Sequence, residues 1–239
     1  MKPSIAVRAL VPHVVPDDTI RFIHDDGMLV VAVAAGSEGD FSAYWPPASR
    51  FILDLFEEHW RSTTGLPAER LAAAFPRVRE RFAAEASARL DRTQADIDES
   101  GPTGQLFAVA ITGTAVHAAW QSGAFAFLAR DGAAIDPTRP HSFREDYARN
   151  DPGLSPDRLA QLPEVWTRTI GSVEPPSTAS FLARPGDVLV IVSRPPAASP
   201  TELARALTRV GPASAAERLA DLAFANDTRV HGSVALVPL

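Results

Sequence analysis

The chain has 239 residues, 46% of them hydrophobic and 22% charged, a globular composition with enough apolar residues for a sizeable core. Its formal net charge of -6 argues against a nucleic-acid binder, and the absence of cysteine excludes disulfides, thiolate metal sites and cysteine nucleophiles. No apolar run approaches the ~20 residues that span a bilayer, and Met1-Lys2-Pro3-Ser4 lacks the apolar core of a signal peptide, so a cytoplasmic protein without a membrane partner is expected.

Along the chain, Asp25-Asp26-Gly27 is a turn signal, and the apolar run Leu29 to Ala34 behind it predicts a buried strand. Pro46-Pro47 precede an amphipathic helix over Ala48 to Arg61, in which Phe51 and Leu55, and Ile52 and Phe56, repeat at i, i+4. Pro67 opens a second helical stretch to about Gln94, which Pro76 kinks or restarts. Three strands follow, Gln105 to Ile111, Ala115 to Trp120 and Ala124 to Arg130. Their tight connections, Thr112-Gly113-Thr114 and Gln121-Ser122-Gly123, predict an antiparallel meander. Asp131 to Gln161 is expected to be irregular, with a short helix near Pro156. Ser180 to Leu182 and Asp187 to Val192 are predicted to form a hairpin with Arg184-Pro185-Gly186 at its turn. Two helices, about Pro200 to Val210 and Pro212 to Phe224, both start at proline, with Ser199 as the N-cap of the first. Ser233 to Leu239 closes the chain as a strand. The pattern predicts one layered domain over 1–239, built on antiparallel sheet.

Four segments share a further property. Val31-Ala32-Val33-Ala34-Ala35-Gly36-Ser37-Glu38-Gly39 resembles the Val-Ala-Asp-Gly-x-Gly-Gly landmark of the metal-dependent protein phosphatases (PPM type, phosphatase 2C-like). Gln121-Ser122-Gly123 resembles their Gly-Asp-Ser-Arg, Val192-Ser193-Arg194 their Ser-Asp-Gly, and Val230-His231-Gly232-Ser233-Val234 their Asp-Asn-x-Thr/Ser-Val. Smaller matches keep the family's order: Val15-Pro16-Asp17-Asp18, Gly101-Pro102-Thr103-Gly104, Arg130-Asp131-Gly132, Thr138-Arg139-Pro140-His141-Ser142, Thr167-Arg168-Thr169-Ile170-Gly171 and Arg184-Pro185-Gly186-Asp187. The resemblance spans nearly the whole chain. It implies an α+β fold, a four-layer α-β-β-α sandwich of two stacked antiparallel sheets flanked by helices.

It also implies a two-metal mechanism, in which Mn²⁺ or Mg²⁺ ions activate a bridging water. Such ions need anionic oxygen ligands. Here the acidic slots hold Ala35, Gly123, Arg194 and Val230, or His231 if the register slips by one. A methyl group cannot ligate. A guanidinium ~4 Å from a divalent ion, at an effective dielectric of ~20, adds roughly 8 kcal/mol of repulsion at the upper end. Asp17 and Asp18 alone survive, and one such pair cannot hold two metals. Asp40, Glu38 and Asp227 lie near the lost positions in sequence and are the candidates for a rebuilt site.

The expectation is therefore a pseudophosphatase without cofactor or metal. It would bind a Ser/Thr kinase, a phosphoprotein or another regulator in bacterial-type signalling. Arg194, His231, Asp17, Asp18 and Glu38 are the candidate ligand-binding residues of the old cleft. Arg194 suits a phosphoryl or carboxylate group. The alternative is that Arg194 pairs with Asp17, Asp18 or Glu38 after catalysis is lost. Two readings from other classes stand beside this one: an active Ser/Thr phosphatase with a rebuilt metal site, and a structural subunit of a larger assembly. No histidine base is evident for Ser193, and the six histidines are scattered, so neither a hydrolase triad nor a histidine metal site is indicated.

Overall fold

The computed structural model describes residues 4–8, 20–37, 48–90, 103–135, 138–162, 165, 167–171, 173–193, 198–209, 212–223 and 232–239. Strands β1 (Ser4–Arg8), β2 (Ile20–Asp25) and β3 (Met28–Ser37) precede helices α1 (Ala48–Ser62) and α2 (Pro67–Leu90). Strands β4 (Thr103–Thr112), β5 (Ala115–Gln121), β6 (Phe125–Arg130) and β7 (Ala133–Ile135) follow, then helices α3 (Phe143–Asn150) and α4 (Pro156–Gln161). The chain continues through β8 (Ser177–Leu182), β9 (Val188–Val192), α5 (Pro200–Arg209), α6 (Pro212–Ala223) and β10 (Gly232–Pro238).

The strands form two five-stranded sheets, ordered β1-β10-β9-β6-β7 and β2-β3-β4-β5-β8, and every pairing is antiparallel. Three apolar clusters make the layers. Val30, Ala32 and Ala34 of β3 and Leu106 of β4 pack with Ile52, Phe56 and Trp60 of α1 and Leu71 and Phe75 of α2. Val31, Val33, Phe107 and Val109 point the other way, into the space between the sheets, where they meet Ala126, Ile191 and Ala235. Phe127, Val190 and Leu236 face α5 and α6 through Leu203 and Leu219. A strand buried on both faces has no polar side to show. That is why the β3 segment is a continuous apolar run rather than an alternating one.

This is the four-layer α-β-β-α sandwich that the resemblance implies. Helices α1, α2, α5 and α6 lie where the sequence places them, and α2 runs on through Pro76 without a restart. Ser199 caps α5 as expected, its Oγ accepting from Glu202 N at 3.3 Å while Glu202 Oε2 accepts from Ser199 N at 2.8 Å.

Two hairpin expectations are overturned. Strands β5 and β6 do not pair. Strand β5 lies between β4 and β8 in one sheet, and β6 lies between β9 and β7 in the other, so residues 122–124 carry the chain across the sandwich. Strands β8 and β9 do not pair either, and residues 183–187 make the return crossing. A short loop forces antiparallel neighbours only when both strands stay in one sheet. At the first crossing, buried side chains of β5 and β6 on both faces accompany the switch. The segment from Asp131 is also more ordered than expected. Asp131 (φ 51°) and Gly132 (φ 75°) form the tight turn of a β6–β7 hairpin, and α3 begins at the N-cap Ser142.

The return crossing is held by charge. Asp187, 2% exposed, accepts from Arg130 Nε and Nη2, both at 2.7 Å, and from Arg184 N at 2.8 Å. Hydrogen bonds from Arg130 hold its carboxyl below the usual aspartate range. That contribution to stability is present above the unfolded aspartate pKa and is lost as pH falls through the folded one. In acid unfolding followed by circular dichroism, Asp187→Asn is expected to be less stable than the parent at pH 7. The difference should shrink below pH ~4.

Candidate functional site

The register places the landmark strand ends together. Ala35 at the end of β3 stands opposite Gln105 at the start of β4, and Leu106 stands opposite Gln121 at the end of β5. The crossing at 122–124 leads from there to Phe125, which pairs with Val192 at the end of β9, and Val192 pairs with Val234 near the start of β10. Ala35, Gly123, Ser193 and Ser233 therefore lie at one end of the sandwich. The return crossing lies at the other.

The described side chains at the converging strand ends themselves are neutral. Gln105, 8% exposed, accepts from Gly123 N through Oε1 at 2.7 Å. Gln121 donates from Nε2 to Glu174 O at 2.6 Å. Ser122 is fully buried. Its Oγ accepts from Ala124 N at 2.6 Å, and its carbonyl accepts from His141 N at 2.8 Å. Thr138 Oγ1 accepts from Ala126 N at 2.7 Å. Ser193 and Ser233 close the far side: Ser193 Oγ accepts from Ser233 N at 2.8 Å, and Ser193 N donates to Ser233 O at 3.0 Å. These bonds occupy backbone groups that leave the strand ladders, so the crossing has few orphaned donors. Gly104 packs against Ile52 of α1, whose Cδ1 would have to shift to admit a Cβ there.

His141 anchors the outer wall. Its ring stacks on Trp120 with centroids 6.0 Å apart at 25°, and Nε2 lies 2.9 Å from Ser177 Oγ. Nδ1 is buried with no hydrogen-bond partner among the described residues. Burial, and then the charge of Arg168, push its pKa down to about 4. The imidazole is therefore held neutral between Trp120 and Ser177.

Among the described residues, no three His, Asp or Glu side chains cluster as a metal site would require. The donors at this end are amides and hydroxyls. Arg194, His231, Asp17, Asp18 and Glu38 lie outside the described residues, as do Val230, Asp40 and Asp227. Ala35 and Gly123 are the two acid-slot positions that can be placed, and both are at the site end. Sequence reading missed Gln105, Ser122 and Thr138. A polar residue at the end of an otherwise apolar strand, as at Gln105, was the available signal. Helix α3 was missed although Ser142-Phe143-Arg144-Glu145 has the spacing of a capping box.

This geometry belongs to a known class. The chain has the fold of the PPM-type Ser/Thr phosphatases, with two stacked antiparallel sheets and the landmark segments at one end. It superposes on the serine/threonine phosphatase of S. agalactiae with a TM-score of 0.76 at 20% identity, covering 100% of this chain and 99% of that one. It superposes on the catalytic domain of the serine/threonine protein phosphatase PstP, in complex with 2 manganese ions, with a TM-score of 0.71 at 19% identity, covering 98% and 96%. Stp1 from Staphylococcus aureus gives a TM-score of 0.77 at 14% identity, covering 99% and 94%. No protein-family profile matches the sequence, and none of the curated proteins does.

The unfolded imidazole of His141 takes up a proton near the ordinary 6.5, and the folded one only near about 4. Its contribution is complete above pH 6.5 and falls as pH drops through that interval, by a few kcal/mol (roughly 2 to 3) at pH ~4.5. Urea unfolding of His141→Phe is expected to lose that much less stability between pH ~7.5 and ~4.5 than the parent. An equal loss in both proteins would place the acid sensitivity elsewhere.

Proposed function

We propose that residues 1–239 form a single phosphatase 2C-like domain that has given up hydrolysis and acts as a protein-binding regulator in Ser/Thr phosphorylation signalling. The observation that carries this reading is Ala35. It lies in register at the end of β3 beside Gln105, where the family resemblance calls for the aspartate shared by both metals. Gly123 offers no side chain, and Gln105 and Gln121 offer only neutral amides, already engaged. The described residues at this end do not fit a pair of hard divalent cations, which need several anionic oxygens. The sequence adds Arg194 and Val230 at two further acid slots.

On this reading, a phosphoryl or carboxylate group of a kinase or phosphoprotein binds at the mouth of the cleft. Arg194 carries the charge, and His231, Asp17, Asp18 and Glu38 flank it. Arginine matches a phosphate with paired N–H donors, and without metal-activated water the ligand is held rather than cleaved. The second reading, an active phosphatase, is favoured by one observation. The solved structures that share this fold are phosphatases, and one of them holds manganese. It requires Asp17, Asp18, Glu38, Asp40 and Asp227 to rebuild the ligand set.

Turnover of p-nitrophenyl phosphate is expected to stay at the buffer rate both in millimolar Mn²⁺ and in EDTA. Turnover that appears with metal and vanishes in EDTA would establish the active phosphatase instead. A phosphoserine peptide is expected to bind the parent and to lose about tenfold or more in affinity in Arg194→Ala, the scale of one charged hydrogen-bonded contact. Unchanged affinity would remove Arg194 from the reading.

A further inference from the structure

Helices α5 and α6 enclose a groove of about 660 Å³ on the face turned away from the sheet. Its floor is apolar, formed by Ala198, Ala206 and Leu222. Its rim carries Arg205 and Arg209, one helical turn apart on α5, and Arg218 on α6. All three arginines are exposed, and none forms an ion pair among the described residues. Glu202 is the groove's acidic lining residue. Its carboxylate is engaged as the cap of α5, with Oε2 accepting from Ser199 N and Oγ, both at 2.8 Å. Arg205 also acts on the Glu202 carboxylate through its charge, and the three guanidinium groups, with no ion pair among the described residues, leave the groove net positive on a chain of net charge -6.

The Arg205 end of the groove lies away from the strand ends at Ala35. A Cβ at Gly132, in the β6–β7 turn, would lie 3.6 Å from Thr208 and 3.8 Å from Arg205. That turn is at the end of the sandwich opposite Ala35. Its place in the helix layer over the other sheet leaves the groove open to a partner while the cleft is occupied.

We propose that this groove docks an acidic peptide segment of a partner protein, an amphipathic turn of helix whose carboxylates pair with Arg205, Arg209 and Arg218 while one aliphatic side chain enters the floor. Charge complementarity identifies the occupant. Arginine forks pair bidentately with carboxylates, and the floor accommodates an apolar anchor between them. A basic or neutral segment would leave the three guanidiniums facing like charge or nothing. The proposal does not rest on what the cleft binds.

The test uses the whole chain and a short fluorescein-labelled helical peptide with two glutamates at i, i+4 and a leucine between them. Versions carrying glutamine or arginine in place of the glutamates serve as comparisons. Fluorescence anisotropy is expected to show binding of the glutamate peptide only, weakened by added salt. The double variant Arg205→Glu/Arg218→Glu should lose it by about tenfold or more while keeping the parent's thermal melting, since both side chains are exposed. Equal binding of all three peptides, equal binding by the double variant, or no binding by the parent would each overturn the proposal. Light scattering runs alongside. Self-association of the parent that the double variant abolishes would make the occupant a second copy, which also overturns it.

Discussion

The structure depends on satisfying the backbone where the chain leaves one sheet for the other. Two antiparallel sheets joined by short links need crossings, and each crossing takes peptide groups out of the strand ladders and into the interior, where an unpaired N–H or C=O is costly. At the site end this is done with neutral groups. Gln105 takes Gly123 N, Ser122 takes Ala124 N, and Thr138 takes Ala126 N. At the opposite end it is done with charge, through Asp187 between Arg130 and Arg184 N. These two knots fix the stagger of the sheets, and the stagger brings the ends of β3, β5, β9 and β10 together.

The neutral knot bears on function. A ring of carboxylates at converging strand ends repels itself and raises its own pKa values unless cations neutralise it. With Ala35, Gly123, Gln105 and Gln121 at the described positions, there is no such repulsion for a cation to relieve. Folding at this end depends on hydrogen bonds internal to the chain.

Two surfaces with different chemistry follow from the layer order. The cleft is at one end of the sandwich, built from strand termini and loops. The arginine-rimmed groove is in a helix layer, built from the solvent faces of α5 and α6. Their inner faces pack on the sheet through Leu203, Ala216 and Leu219, and the floor residues Ala198, Ala206 and Leu222 pack against the same cluster, so only the rim is free of the core.

The sequence by itself determined the local structure and the chemistry that is missing. The i, i+4 apolar spacing of Phe51, Ile52, Leu55 and Phe56, the prolines opening α2, α5 and α6, and the Ser199–Glu202 cap are short-range signals, and the helices they predict are present. The unbroken apolar run at Leu29 to Ala34 marks a strand buried on both faces, and Ala35 in an acidic slot is visible in the letters alone. Tertiary structure decided which strands are neighbours. Gln121-Ser122-Gly123 and Arg184-Pro185-Gly186 look like hairpin turns because a turn motif reports only the local path of the chain. Whether the next strand joins the same sheet depends on distant partners, such as β9 for β6 and β5 for β8. The roles of Gln105, His141 and Asp187 were set the same way. Gln105 stands in no motif, His141 and Asp187 stand in motifs that name no partner, and the partners, Gly123, Trp120 and Arg130, lie 18, 21 and 57 residues away. The groove between α5 and α6 likewise exists only once the two helices pack side by side, because no single helix encodes the space between them.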